Sequence, residues 1–147
     1  MKLDESLAEF ADAEPEEALE MLIEFGDQLP PLSAARAAIG NPPECRVQEC
    51  QTAVYLWADV VDGRMCLEAS VTEKSPTVRG LVALLVDGLN GASPEEVLRI
   101  PDNLLPQLGL QETLGMTRQR GLAGVIARIK RAARQVAPMG ASAEKTA

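Results

Sequence analysis

Three cysteines, Cys45, Cys50 and Cys66, are the residues of this sequence best suited to nucleophilic or metal-binding chemistry. The 147 residues include no histidine. This excludes Ser-His-Asp and Cys-His catalysis, and it excludes metal sites with imidazole ligands. The remaining choices are thiol, carboxylate or amine chemistry, or binding without catalysis.

Cys50 is the first candidate because it lies between a proline-rich coil and the first strand of a predicted hairpin, where a loop can present a side chain. A free cysteine can equally be a buried, inert hydrophobe. The local charges leave its reactivity open, since Glu44 and Glu49 would raise the pKa of the thiol and Arg46 would lower it. No local base is evident. A thiol without an activator suits an acceptor of sulfur delivered by a partner better than it suits a hydrolase.

The other two cysteines give weaker signals. Cys45 could form a disulfide or share a metal with Cys50, but their spacing is not that of a CxxC motif and no second ligand pair follows. Cys66 lies opposite Asp59 in the predicted hairpin register, and we interpret it as an inert strand residue. The odd cysteine count and an acidic opening without an apolar leader predict free thiols and a cytoplasmic protein. No apolar run approaches the roughly 18 residues of a membrane span.

The charge is acidic overall but unevenly distributed. With 14 basic and 22 acidic residues the net charge is −8, which argues against a nucleic-acid or anionic-membrane binder. The last predicted helix and its start are basic, at Arg118, Arg120, Arg128, Lys130, Arg131 and Arg134. Arg118 and Arg120 lie where the helix dipole disfavours positive charge, so either an ion pair or a partner surface could explain them.

Asp62-Gly63 gives the clearest structural signal, a two-residue turn between two apolar-polar alternations. The predicted register pairs Val54 with Val71 and Val61 with Arg64, which places one unbroken apolar row on one face. The segment from Arg46 to Gln48 could add a third strand.

The remaining patterns are helical. Residues 1–13 form a weakly periodic segment that docks or frays, and a helix begins at Pro15 and ends before Pro30. After the hairpin we predict a buried helix from Ser75, a capping box at Ser93 and Glu96, and a long helix capped by Thr117. The expected fold is α+β, a small antiparallel sheet covered by helices. It forms one domain over residues 1–136, with a flexible tail at residues 137–147.

Four strings in order resemble the SufE family of sulfur-acceptor proteins. They are residues 23–32 (IEFGDQLPPL), 47–55 (VQECQTAVY), 78–81 (VRGL) and 117–122 (TRQRGL). Glu49 departs from the glycine that many members have before the sulfur-accepting cysteine, and Lys74 and Ser75 stand where an acidic loop is common.

This resemblance implies a fold like that of the IscU scaffold proteins and a role for Cys50 as persulfide acceptor, with partner contacts at Arg118, Gln51 and Arg79. The implied partners are a SufS-like cysteine desulfurase, which would carry the pyridoxal phosphate, and a SufBCD-like iron-sulfur scaffold. The chain itself would need no cofactor and would activate the desulfurase rather than act as a stand-alone enzyme. The alternative is an IscU-like scaffold that binds zinc or a cluster through its cysteines.

Overall fold

The computed structural model of this chain describes the backbone of residues 1–146 and the side chains of residues 1–135. The tail predicted at residues 137–147 lies outside the residues whose side chains are described, and its flexibility stays a prediction. The helices are α1 (Lys2–Ala11), α2 (Pro15–Asp27), α3 (Ala34–Ile39), α4 (Pro76–Leu89), α5 (Pro94–Leu98), α6 (Leu105–Leu108) and α7 (Gln111–Thr146). The strands are β1 (Val54–Val61) and β2 (Arg64–Val71). None of the helices in the described chain is long and apolar enough to cross a membrane.

The hairpin has the predicted register at every position, from Val54 opposite Val71 to Val61 opposite Arg64. Asp62 and Gly63 both have positive φ, 52° and 76°, as a type I′ turn requires. The predicted apolar row is buried at Val54, Leu56, Met65, Leu67, Ala69 and Val71. The α+β prediction is therefore confirmed, and alternation along two strands was enough to identify the buried face.

The prediction of a third strand around Arg46 is wrong. In the described chain the sheet has two strands, and Arg46 makes only an isolated bridge to Tyr55. A 3₁₀ turn over Pro43–Cys45 precedes this bridge. A turn follows it, in which the Cys50 N–H donates to the Val47 carbonyl at 3.2 Å. Too few residues lie between these two turns to form a strand, and the turns direct the chain toward α7.

The core is built around α4, whose apolar residues are buried on most sides, as its sequence predicts. α1 docks against α4 rather than fraying, since Leu3 and Phe10 are 0% and 1% exposed. α2 crosses α4 where Gly26 and Gly80 approach each other. This crossing fixes the start of α4, which also contributes to the candidate site.

Two predicted helix starts have different outcomes. The capping box at Ser93 and Glu96 is confirmed by both reciprocal hydrogen bonds. The Thr117 cap is wrong, because the break in α7 lies at Gly115, with φ 74° and ψ −174°. Only glycine adopts such angles without strain. The turn that redirects the chain therefore falls at glycine rather than at the hydroxyl residue.

α3 has no buried residue and is held on the polar face of the hairpin by Arg36. The Arg36 guanidinium donates to Glu68 and, at 2.6 Å, to Asp59, and it stacks 5.5 Å from the ring centroid of Trp57. The Ser33 N–H and then the Arg36 guanidinium lower the pKa of the Glu68 carboxyl. Charged groups of both strands on this face thus attach a helix that buries none of its own residues.

Candidate functional site

Cys50 lies at the end of the turn that starts at Val47, and its side chain points inward between α4 and α7. The residue is only 8% exposed, and its thiol donates to the Gly121 carbonyl at 3.5 Å. A cavity of about 20 Å³ adjoins it. That volume is about enough for one water-sized group. The cavity is lined by Cys50, Gln51, Thr52, Val78, Leu81, Val82, Thr117, Arg118, Gly121, Leu122 and Val125.

Two glycines of α7 give the segment before Cys50 its close approach to the helix. A Cβ atom at Gly121 would lie 3.0 Å from the Cys50 sulfur. A Cβ atom at Gly124 would lie 2.7 Å from the Glu49 Cβ. The helix backbone itself is therefore the surface on which Glu49 and Cys50 rest.

The electrostatics of the resting site suppress the thiolate. Burial, and then the negative charge of Glu49, raise the pKa of Cys50 from 9.0 to about 11, while Arg118 and Arg46 oppose the rise. At pH 7 about one such thiol in ten thousand is ionised. Since the thiolate is the nucleophile, Cys50 is inert in this position and needs a change of surroundings to react.

Glu49 adopts an ordinary negative φ. The resting conformation before Cys50 therefore does not require glycine. The glutamate instead places a negative charge next to the Cys50 thiol.

Three of the four residues predicted for the site come together. Gln51 is exposed and Arg118 is half-buried, and both line the cavity with Cys50. Arg79 does not line it. Its guanidinium donates to the Gly26 carbonyl at 2.9 Å and to the Val71 carbonyl at 2.6 Å, so it joins the ends of α2 and β2 to α4. This role was not visible in the sequence, and the predicted partner contact of Arg79 stays a prediction.

The other cysteines lie apart from this cavity. Cys45 is half-buried in a separate pocket with Trp57 and Arg131, and burial followed by Glu44 raises the pKa of its thiol. Cys66 is exposed opposite Asp59, as predicted. Within residues 1–135 no group of three or more cysteine, aspartate or glutamate side chains is arranged to hold a metal ion. The geometry therefore gives no support to the scaffold alternative.

The raised pKa predicts an unusual pH profile for Cys50. In a chain with Cys45→Ser and Cys66→Ser, the rate of alkylation of Cys50 by iodoacetamide should still be rising above pH 9, with a midpoint near pH 11. Glu49→Gln should move the midpoint to lower pH because it removes the negative charge beside the thiol.

The control for this profile is Glu73→Gln, which removes a carboxylate on an exposed residue outside the cavity. It should leave the midpoint unchanged. A plateau of the parent rate near pH 8.5 would show that the thiol is not held in the buried environment described above.

A family model and several similar proteins carry the same family name. A family model described as SufE, Fe-S metabolism associated domain, matches residues 4–133. An uncharacterised SufE-like protein of Mycobacterium tuberculosis is 33% identical over 134 residues, which cover 90% of this chain and 92% of the relative. A Plasmodium vivax protein named cysteine desulfuration protein SufE is 32% identical over 91 residues, 60% of this chain and 38% of the relative. The solution structure of a hypothetical protein from Thermus thermophilus is similar at a TM-score of 0.77 and 34% identity, covering 91% of this chain and 94% of that one.

Proposed function

This chain belongs to the SufE family, and on that premise we propose that Cys50 accepts the terminal sulfur of a persulfide held by a cysteine desulfurase. The family acts in sulfur transfer for iron-sulfur metabolism, and a cysteine desulfurase is its partner. The observation that carries the assignment to Cys50 is its position, buried at the end of a turn and beside a small cavity shared with Gln51 and Arg118.

The proposed transfer is a thiol exchange with balanced electrons. The Cys50 thiolate attacks the outer sulfur of the partner's persulfide, the partner's S–S bond breaks, and the Cys50 persulfide forms. The partner's cysteine leaves as a thiolate and takes up the proton that Cys50 lost. No external oxidant is consumed, and the pyridoxal phosphate that first releases sulfur from cysteine belongs to the partner.

The resting geometry supports a carrier more than a hydrolase. A thiol with a pKa of about 11 reacts slowly with small oxidants, so burial protects it between transfers. In the proposal Cys50 leaves the α7 surface on docking, while Gln51 and Arg118 contact the desulfurase. Removing sulfur from the desulfurase regenerates its free cysteine and raises its turnover.

The later steps are part of the same proposal. The Cys50 persulfide would transfer its outer sulfur to a thiolate of an iron-sulfur scaffold complex of the SufBCD kind, again by exchange. The proposed setting is the cytoplasm, where glutathione and thioredoxin keep such thiols reduced.

The test is to incubate the protein with a cysteine desulfurase and cysteine and to measure its intact mass. We expect the mass to increase by one sulfur atom, to return to the original value after reduction, and to map to the peptide containing Cys50. A reaction without cysteine is the control. An unchanged mass, together with desulfurase turnover that this protein does not alter, would refute the proposal.

A further inference from the structure

Arg128 ties the start of the Cys50 segment, residues 44–50, to α7. Its guanidinium donates through Nη1 to the Glu44 carbonyl at 2.9 Å and through Nη2 to the Arg46 carbonyl. Both acceptors are main-chain groups, so the contact depends on the path of the backbone. One planar, charged side chain thus holds two positions of the segment at once.

Arg128 lies on the same stripe of α7 as the two glycines beneath the segment. Gly121, Gly124 and Arg128 recur at the spacing that places residues on one helix face. Cys50 rests on Gly121 and Glu49 on Gly124, so the segment runs antiparallel to the helix, from Arg128 at its start to Gly121 at its end. The stripe is about 10 Å long.

The segment's other attachments lead to different elements. The Val47 N–H donates to the Val54 carbonyl at 2.8 Å, and the Val47 side chain is fully buried. The Thr52 and Ser75 hydroxyls are 3.2 Å apart, which connects the following residues to the start of α4. Among residues 1–135, Arg128 is the side chain of α7 that hydrogen-bonds the segment.

We propose that Arg128 is a positioning residue that latches residues 44–46 onto α7 and thereby controls how often Cys50 leaves its resting place. The inference rests on the proposed function, because it concerns the exposure of the sulfur-accepting thiol. It deepens that function by naming the contact that keeps the carrier closed between partners. A docking partner would have to compete with this contact before it could reach Cys50.

The test measures Cys50 exposure without any desulfurase. In the chain with Cys45→Ser and Cys66→Ser, Arg128→Gln should raise the rate of alkylation by iodoacetamide about tenfold, since two charge-assisted hydrogen bonds are lost. Arg128→Lys should give an intermediate rate, because one ammonium group does not reproduce the planar fork. Arg134→Gln is the matched control, because Arg134 is an exposed arginine on the same helix that does not line the pocket around Cys45, and it should leave the rate unchanged.

The pH profile separates a latch from a general loss of stability. Opening of the segment should shift the alkylation midpoint of Arg128→Gln from about pH 11 toward the ordinary value of 9.0, while the thermal unfolding midpoint changes little. An unchanged rate and midpoint in a folded Arg128→Gln protein would overturn the proposal.

If Arg128→Gln does not fold, Arg128→Lys decides the question. Its alkylation rate and the hydrogen exchange of the Cys50 amide should then both exceed those of the parent, and parental values for both would overturn the proposal. The two hypotheses fail separately. Parental alkylation in these variants leaves sulfur acceptance standing, whereas a protein that never gains sulfur can still show a working latch.

Discussion

Replacing Cys50 with serine is expected to abolish sulfur acceptance completely and to leave the fold intact. A serine hydroxyl does not form a stable bond to the transferred sulfur, so no persulfide can be held at this position. Serine has nearly the same shape as cysteine, and its hydroxyl can take over the hydrogen bond to the Gly121 carbonyl that the thiol makes at 3.5 Å. Intact mass after incubation with a desulfurase and cysteine should therefore show no added sulfur, with an unchanged thermal unfolding midpoint.

The matched controls are the two other thiols. Cys45→Ser and Cys66→Ser should each still gain one sulfur atom, since neither residue lines the Cys50 cavity. Cys50→Ser retains Gln51 and Arg118, so it should still bind the desulfurase and compete with the parent protein in a mixed assay. Sulfur gained by Cys50→Ser in an amount equal to the parent would move the acceptor role to another residue.

Features that depend on local pattern could be predicted from the sequence. The hairpin register follows from a two-residue turn and strict alternation, and the capping box follows from a spacing of three residues. The prediction of a third strand was wrong because the turns on either side of Arg46 limit its pairing to a single bridge. Alternation over so short a segment does not reveal where such turns lie. The docking of α1 depends on where Leu3 meets α4, which is a contact between distant parts of the chain.

The same division applies to the site. Cys50 could be named as a candidate from its position and its surrounding string, whereas the surface it rests on is formed by residues about seventy positions later in the chain. The sequence signal for that surface is the placement of Gly121, Gly124 and Arg128 on one face of α7. It can be interpreted only once residues 44–50 are known to pack on that face. Arg79 is bound through its guanidinium to the carbonyls of Gly26 and Val71, a structural role that its family string did not indicate, and its partner contact stays a prediction.

The largest effect on stability is expected from Gly80→Ala. A Cβ atom at Gly80 would lie 2.2 Å from the Leu22 carbonyl oxygen, a rigid backbone atom in the middle of α2. Relief of this overlap requires α2 and α4 to move apart, and we expect a loss of about 3 kcal/mol or more in the free energy of unfolding. Urea unfolding followed by circular dichroism measures this change. The movement should also reach Val78 and Leu81, which line the Cys50 cavity one turn away or less.

Gly26→Ala is the matched control at the same helix crossing. Its Cβ atom would lie 3.1 Å from the Gly80 nitrogen, which a displacement of a few tenths of an ångström relieves. Alanine also favours the helix over glycine by about 1 kcal/mol, so the net change at Gly26 should stay within about 1 kcal/mol of zero. The same helix preference applies at Gly80, and there it is smaller than the cost of the overlap. Equal stability of the two variants would therefore mean that α2 and α4 do not cross as closely as the contact between Gly80 and Leu22 requires.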